Sequence, residues 1–234
     1  MNGELRALNL AHGLLLGLLI ACALAPDMLP WGVDALLLVG GFQLRLADRR
    51  FTVRPGATEW VSHIMMAPAR PIRWAVAAMI VAIAGNAGLA ISMVMAVLAC
   101  ELCAYPIATL LLGHRALPWA AGALALLIVA TGLTSQGALH LTLSFLTGVS
   151  ACVVWLRGPD GEPRALAMAL GGGAATIVAT LLFPGTLAFA APMLAVCAAW
   201  GLVHLSVLRR QILPWRPGVA PVRWRPAALR APQR

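Results

Sequence analysis

Between Leu8 and Leu208 the chain alternates long apolar runs with short breaks carrying arginine, glycine, proline or a few other polar residues. A helix needs about 20 apolar residues to cross the ~30 Å hydrocarbon core of a bilayer, and the runs approach that length. Reading runs against breakers gives eight candidate spans, 8–25, 31–44, 72–85, 88–113, 117–133, 136–156, 165–183 and 186–208. The pattern predicts an all-α fold, a polytopic transmembrane helix bundle of eight spans. The second and third runs are the shortest, with apolar cores of about 13 residues, or ~20 Å of helix at 1.5 Å per residue. The alternative is therefore six spans plus two re-entrant segments, and either count leaves both termini on one side.

Arginine placement orients the bundle. With the N-terminus inside, Arg6 is cytoplasmic, Arg45, Arg49, Arg50, Arg54, Arg70 and Arg73 fall in or beside the first inner loop, and Arg115, Arg157 and Arg164 in the next two. The remaining seven lie between Arg209 and Arg234, so all 17 arginines share one face, as the positive-inside rule requires. Trp31, Trp74, Trp119, Trp155 and Trp215 sit at predicted span ends, where interfacial anchors belong. The expected location is a bacterial inner membrane, multi-pass, with both termini cytoplasmic.

Composition narrows the function classes. Charged residues make up 11% of the chain and hydrophobic ones 61%, against roughly 25% charged in a soluble domain. A disordered chain, a secreted disulfide scaffold and an ordinary cytosolic enzyme are excluded. Lysine is absent, which removes retinal or pyridoxal Schiff-base chemistry. Residues 1–208 read as one transmembrane helical domain with an interfacial cytoplasmic loop at 47–71, in which Thr58–Ala67 (TEWVSHIMMA) has the pattern of a surface-lying helix. Residues 209–234 form an Arg- and Pro-rich tail expected to lie against anionic lipid. Positive-inside bias accounts for its arginines without nucleic acid, leaving the bilayer, a membrane-protein partner or a second copy as the expected partners.

Polar residues inside apolar runs carry what chemistry there is. Glu101 falls near the middle of the fourth span, where an ionised carboxylate costs several kcal/mol and marks a functional candidate by default. Tyr105 lies at i+4 on the same helix face and is placed to hydrogen-bond it. His140, near the outer end of the sixth span, is expected to approach Glu101 or line an aqueous path. Glu101, Tyr105 and His140 are the candidate substrate or proton pathway; the competing role for Glu101 is an interhelical hydrogen-bonding group that fixes packing.

Cys100-Glu101-Leu102-Cys103 places two thiols within one helical turn. The spacing resembles the redox motif of the DsbB-type disulfide-forming quinone reductases, and the resemblance implies a thiol pair at Cys100 and Cys103. Pro106 departs from the arginine usual after that motif, and no second cysteine pair lies in an outer loop. Among the histidines His12, His63, His114, His140 and His204 no two are spaced i,i+3 or i,i+4, so no metal site is expected on one helix. His12 and His204 lie at similar predicted depth and form a candidate axial pair for a b-type haem. Gly148-Val149-Ser150-Ala151 with His204 faintly resembles the serine and histidine of rhomboid intramembrane proteases, although the second glycine is Ala151. No motif names a cofactor, and none is expected.

Small residues point to packing: Gly13 and Gly17 as GxxxG in the first span and Gly171-Gly172-Gly173 in the seventh. Arg73–Trp119 and Arg164–Trp215 share a loose pattern ending in Leu-Pro-Trp, with Pro106 and Pro192 at matching positions, as two parallel halves would have. The leading expectation is a transporter or permease, with Glu101 as the residue through which transport could be linked to protons. Its rivals are a non-catalytic membrane subunit or assembly factor and, third, a membrane redox protein. A non-enzymatic role is favoured.

Overall fold

The computed structural model describes residues 3–22, 29–48, 69–112, 116–135, 137–158 and 163–212, all organised as helices and their connections, with no strand among them. Eight rods follow in order: α1 (Gly3–Cys22), α2 (Leu29–Asp48), α3 (Ala69–Ile83), α4 from Ala87 to Leu112, α5 (Leu117–Leu133), α6 (Ala138–Arg157), α7 (Pro163–Leu182) and α8 from Pro184 to Ile212. They match the eight apolar runs one for one, with α8 continuing to Ile212 rather than ending at Leu208. Three are long and apolar enough to cross a membrane, through Ala87–Thr109, Ala138–Arg157 and Pro184–Leu205. The outward surface is itself apolar: Ile83 and Leu181 are 79% and 77% exposed, with Leu126 and Leu133 close behind. A soluble domain rarely keeps so much exposed hydrocarbon, whereas lipid solvates it. The interfacial segment 58–67 and the tail beyond Ile212 lie outside the described residues.

The second run, short in its apolar core, is an unbroken helix of 20 residues, about 30 Å long. Asp34, Gln43, Arg45 and Asp48 interrupt its hydropathy without shortening it, because neighbouring helices enclose it and residues 36–42 are all buried. Its main partner is α6, and glycine sets how closely they approach. A Cβ on Gly41 would fall 2.2 Å from the Phe145 carbonyl oxygen, and one on Gly148 only 1.9 Å from that of Leu38. The two backbones touch, as small residues permit in membrane helix pairs. Hydrophobic cores fill both sides of this pair. One joins Leu36, Leu37, Trp74, Met93, Tyr105 and Phe145 from α2, α3, α4 and α6. The other joins Leu8, Phe42, Trp155, Val196 and Trp200 from α1, α2, α6 and α8.

The glycine motifs read from the sequence are used unevenly. Gly172 packs against Cys197 of α8, whose Sγ would lie 3.2 Å from an added Cβ, whereas Gly13 and Gly17 face outward with nothing within 4 Å. Tryptophan divides too. Trp31 and Trp119 are exposed at helix ends, but Trp74 and Trp155 are buried in the cores, so helix-end position alone does not make an interfacial anchor.

The end of the bundle bearing the described arginines is tied by polar bonds. Asn9 Oδ1 accepts from Arg73 Nη1 at 2.9 Å and from Gln43 Nε2, linking α1, α2 and α3. Tyr105 of α4 donates to Asp48 of α2, and Arg157 Nη2 donates to the Leu112 carbonyl at 2.6 Å.

In the middle of α4 the α-helix gives way to one π turn, Cys100–Ala104, where Tyr105 N–H reaches the Cys100 carbonyl. Pro106 explains it: the ring has no N–H and would clash with the carbonyl four residues back, and widening the preceding turn relieves both faults. Pro192 in α8 produces no such turn, and the helix stays α-helical through it. The two halves of the loose repeat therefore resolve the same residue differently.

Candidate functional site

At the end of the bundle opposite the described arginines, the first half of α2, the C-terminus of α5, the first turns of α6 and the proline-bearing turn of α8 enclose a cavity of about 250 Å³. Its polar lining is Asp34, Thr131, Thr134, Ser135, His140 and Ser144. His140 sits one turn into α6, its Nε2 2.9 Å from Asp34 Oδ2, and Ser144, one turn further on the same face, donates to Asp34 Oδ1 at 3.3 Å. The carboxylate is thus held at both oxygens from α6, with the ring about one-eighth and the acid about one-fifth exposed (12% and 21%).

Thr134 Oγ1 lies 3.2 Å from His140 Nδ1 and 3.1 Å from the Thr131 carbonyl. His140 thus meets an acid through one ring nitrogen and a hydroxyl through the other. A hydrogen-bonded chain results, from Asp34 through His140 and Thr134 to the end of α5. On the far wall Pro192 lacks an N–H, so the Ala188 carbonyl loses its helical donor, and both residues border the cavity. An acid–base pair, four hydroxyls and a freed carbonyl around one open space can bind a small polar solute or pass a proton.

Asp34 is the residue that the sequence reading passes over. Its signal was available, because it is an acid inside the second apolar run, and the rule that selects Glu101 selects it equally. The brevity of that run drew attention to span length instead.

The three pathway candidates occupy three places. His140 lines this cavity and pairs with Asp34, not Glu101. Tyr105 is fully buried towards the arginine-bearing end, where its hydroxyl hydrogen goes to Asp48, so the i+4 spacing to Glu101 is not what that hydroxyl donates across. Glu101, 7% exposed, lines a second cavity of about 260 Å³ between α3 and α4, otherwise walled by apolar side chains including Trp74, Met93, Val97 and Leu98.

The two thiols of the Cys-x-x-Cys pattern part company at the π turn. Cys100 is buried with Sγ 3.9 Å from the Thr142 carbonyl, Cys103 is exposed, and both are free. His12 sets its ring edge-on to Trp74, with centroids 5.5 Å apart, in the core. Neither ring nitrogen of His12 or His204 meets a hydrogen-bond partner, and neither residue lines either cavity. Ser150 is buried on α6 and makes no hydrogen bond with His204. Among the described residues no group of three or more His, Cys, Asp or Glu is placed to hold a metal. Comparison with protein families, with curated proteins and with solved structures finds no match.

Proposed function

We propose that this chain is a multi-pass inner-membrane transporter or permease in which the Asp34–His140 pair is the proton- or solute-binding centre. All eight rods cross the bilayer in this reading, both termini are cytoplasmic, residues 1–208 form the membrane domain, and the tail 209–234 rests on anionic lipid. The observation that carries it is the 2.9 Å hydrogen bond between Asp34 and His140 beside an open cavity. Ionisable groups within membrane helices are costly and concentrate on ion and substrate paths. Glu101 and Tyr105 stand outside this cavity and serve the pathway only indirectly.

The test is reconstitution in proteoliposomes with an entrapped pH dye, challenged with a panel of amino acids, sugars, organic anions and organic cations. A solute-dependent proton flux is expected in the wild type and absent in Asp34→Asn and His140→Gln, with unchanged elution on size exclusion. No flux with any solute, or an unchanged flux in both variants, overturns the reading. The non-catalytic subunit reading is favoured by a different observation: Gly13 and Gly17 of α1 and Gly171 of α7 have open space where a Cβ would stand, as a face awaiting another helix would. Co-purification of a stoichiometric membrane partner, with Asp34→Asn fully functional in it, would move the assignment there.

A further inference from the structure

The balance of charge and hydrogen-bonding groups around the first cavity restricts what it can hold. Among the described residues no arginine lines it, and the chain has no lysine, so an anion there meets no cation independent of Asp34. Hydroxyl hydrogens are directed into the protein: Thr131 donates to the Leu127 carbonyl at 2.7 Å, Ser144 to Asp34, and Thr134 Oγ1 stands within reach of both the Thr131 carbonyl and His140 Nδ1. What remains on these groups is acceptor capacity, and the Ala188 carbonyl released by Pro192 adds to it. Asp34 keeps capacity too, because a carboxylate offers about four lone-pair sites and His140 and Ser144 meet one oxygen each. The rest of the lining is apolar, chiefly Ala35, Leu38, Ala191 and Ala195, with Trp31, 41% exposed, at the rim.

We propose that this cavity binds a small primary ammonium with a short apolar body, and that the cation and a proton on the Asp34–His140 pair exclude one another; the proposal rests on the assignment of that pair as a binding centre. An ammonium brings three donors and no acceptor to a lining rich in acceptors. Its charge pairs with the carboxylate, and the Trp31 indole attracts the same sign of charge through its ring quadrupole. A proton on His140 or on Asp34 offsets the negative charge that the ammonium needs, so acid opposes binding whichever of the two takes it up, and by linkage a bound ammonium opposes protonation equally. Asp34 and His140 are the titratable side chains on the lining, to which α5 and α8 add none. Of the other helices packed on α2 and α6, α1 carries His12, set against Trp74, and α4 carries Glu101, on the second cavity. Size limits the apolar body: clefts for drug-sized ligands run to about 300–1,000 Å³, and this one is about 250 Å³. An uncharged analogue lacks the charged pair, and a carboxylate meets Asp34 as a like charge.

The probe is benzylamine, cationic throughout the pH range used, compared with its uncharged and anionic counterparts benzyl alcohol and benzoate. All three are followed by saturation-transfer NMR on zwitterionic nanodiscs with and without the full chain. The amine is expected to bind saturably above the empty-disc signal, the alcohol roughly tenfold or more weakly, since only the amine forms the charged pair, and benzoate not at all. Affinity for the amine should fall several-fold from about pH 8 to about pH 5. Asp34→Asn should weaken amine binding roughly tenfold or more. Ala191→Leu fills the cavity from α8 with Asp34 retained, so it tests the site even where loss of the acid disturbs folding, and the same loss is expected. Leu182→Trp, at an exposed position on α7, should bind as the wild type does. An amine signal equal to that of empty discs, equal affinity for the alcohol or benzoate, an affinity independent of pH, or undiminished binding to Ala191→Leu would each overturn the proposal. Binding is read here without flux, so saturable binding by a protein that transports nothing overturns only the transporter reading, whereas an Asp34-dependent flux of an anion overturns only the ammonium site.

Discussion

Replacing Gly148 by alanine adds one methyl group where two helices already touch. The new Cβ would lie 1.9 Å from the Leu38 carbonyl oxygen, 2.8 Å from its carbon and 3.0 Å from the Phe42 nitrogen. An ordinary C···O contact is near 3.3 Å, so α2 and α6 must separate by about 1.4 Å at the crossing. All three obstructing atoms are backbone, and no rotamer change relieves them. A radial gap of only 0.5–1 Å already forfeits a quarter to a half of each dispersion contact, and Leu38, Phe42, Phe145 and Val149 all pack near this crossing. Overpacking of a tight core costs about 1–3 kcal/mol; with a rigid backbone on both sides, roughly 3 kcal/mol is expected here. That corresponds to a fall in apparent melting temperature on the order of 5–10 °C for a chain of this size. The protein supplies its own reporter. Cys100, Cys152 and Cys197 are buried, so a thiol-reactive fluorophore in a Cys22→Ser, Cys103→Ser background reads unfolding in detergent. Gly13→Ala and Gly17→Ala are the controls, because nothing lies within 4 Å of either new methyl and alanine is the better helix former by up to ~1 kcal/mol. They should be neutral or stabilising. A Gly148→Ala protein that melts with or above these controls would refute the close crossing, and with it the arrangement of both cores.

Two further predictions rest on single contacts. Tyr105→Phe removes the donor to Asp48, a carboxylate 2% exposed, and should destabilise by about 1–3 kcal/mol in the same thermal assay. The double variant with Asp48→Asn should cost less than the sum of the single changes, and strict additivity would show that the bond contributes nothing. In native detergent-solubilised protein, N-ethylmaleimide should modify Cys103 while sparing Cys100, as peptide mass spectrometry would read; equal modification of both would place the two thiols on one accessible face and revive the redox assignment.

The eight helices were legible because in each run the chain satisfies one dominant constraint, an apolar stretch long enough to fold its backbone bonds inward. What hydropathy could not convey is which helix lies at the centre. α2 looked marginal because Asp34, Gln43, Arg45 and Asp48 dilute its apolar character, and those residues mark its position: a helix enclosed along most of its length by its neighbours can carry polar groups that meet partners on α1, α4 and α6. Low hydropathy there reported enclosure, not brevity. The same confusion of position with environment affected tryptophan. Trp155 stands near the end of its helix and Trp74 near the start of its apolar run, as anchors do, but depth along the helix axis says nothing of which side faces lipid.

Glycine and acid residues raise the same difficulty at higher cost to the functional reading. A GxxxG spacing identifies a surface that permits close approach, and at Gly13 and Gly17 nothing approaches it; Gly41, next to Gly40, and Gly148, neither of them in a GxxxG spacing, are where backbones meet. Whether a glycine is used depends on its partner helix, information distributed over more than 100 residues of chain. The acids follow the same logic. Glu101 was conspicuous because its own span is otherwise apolar, and the structure gives it a correspondingly apolar groove. Asp34 was inconspicuous because its span is polar, and it faces a polar cavity with a histidine brought from 106 residues away. Conspicuousness in a hydropathy profile thus selects acids with apolar neighbours. An acid whose partners already form a hydrogen-bonded chain is masked by the residues that would make it functional, so intramembrane acids are better ranked by the partners that the fold brings to them than by the length of the apolar run around them.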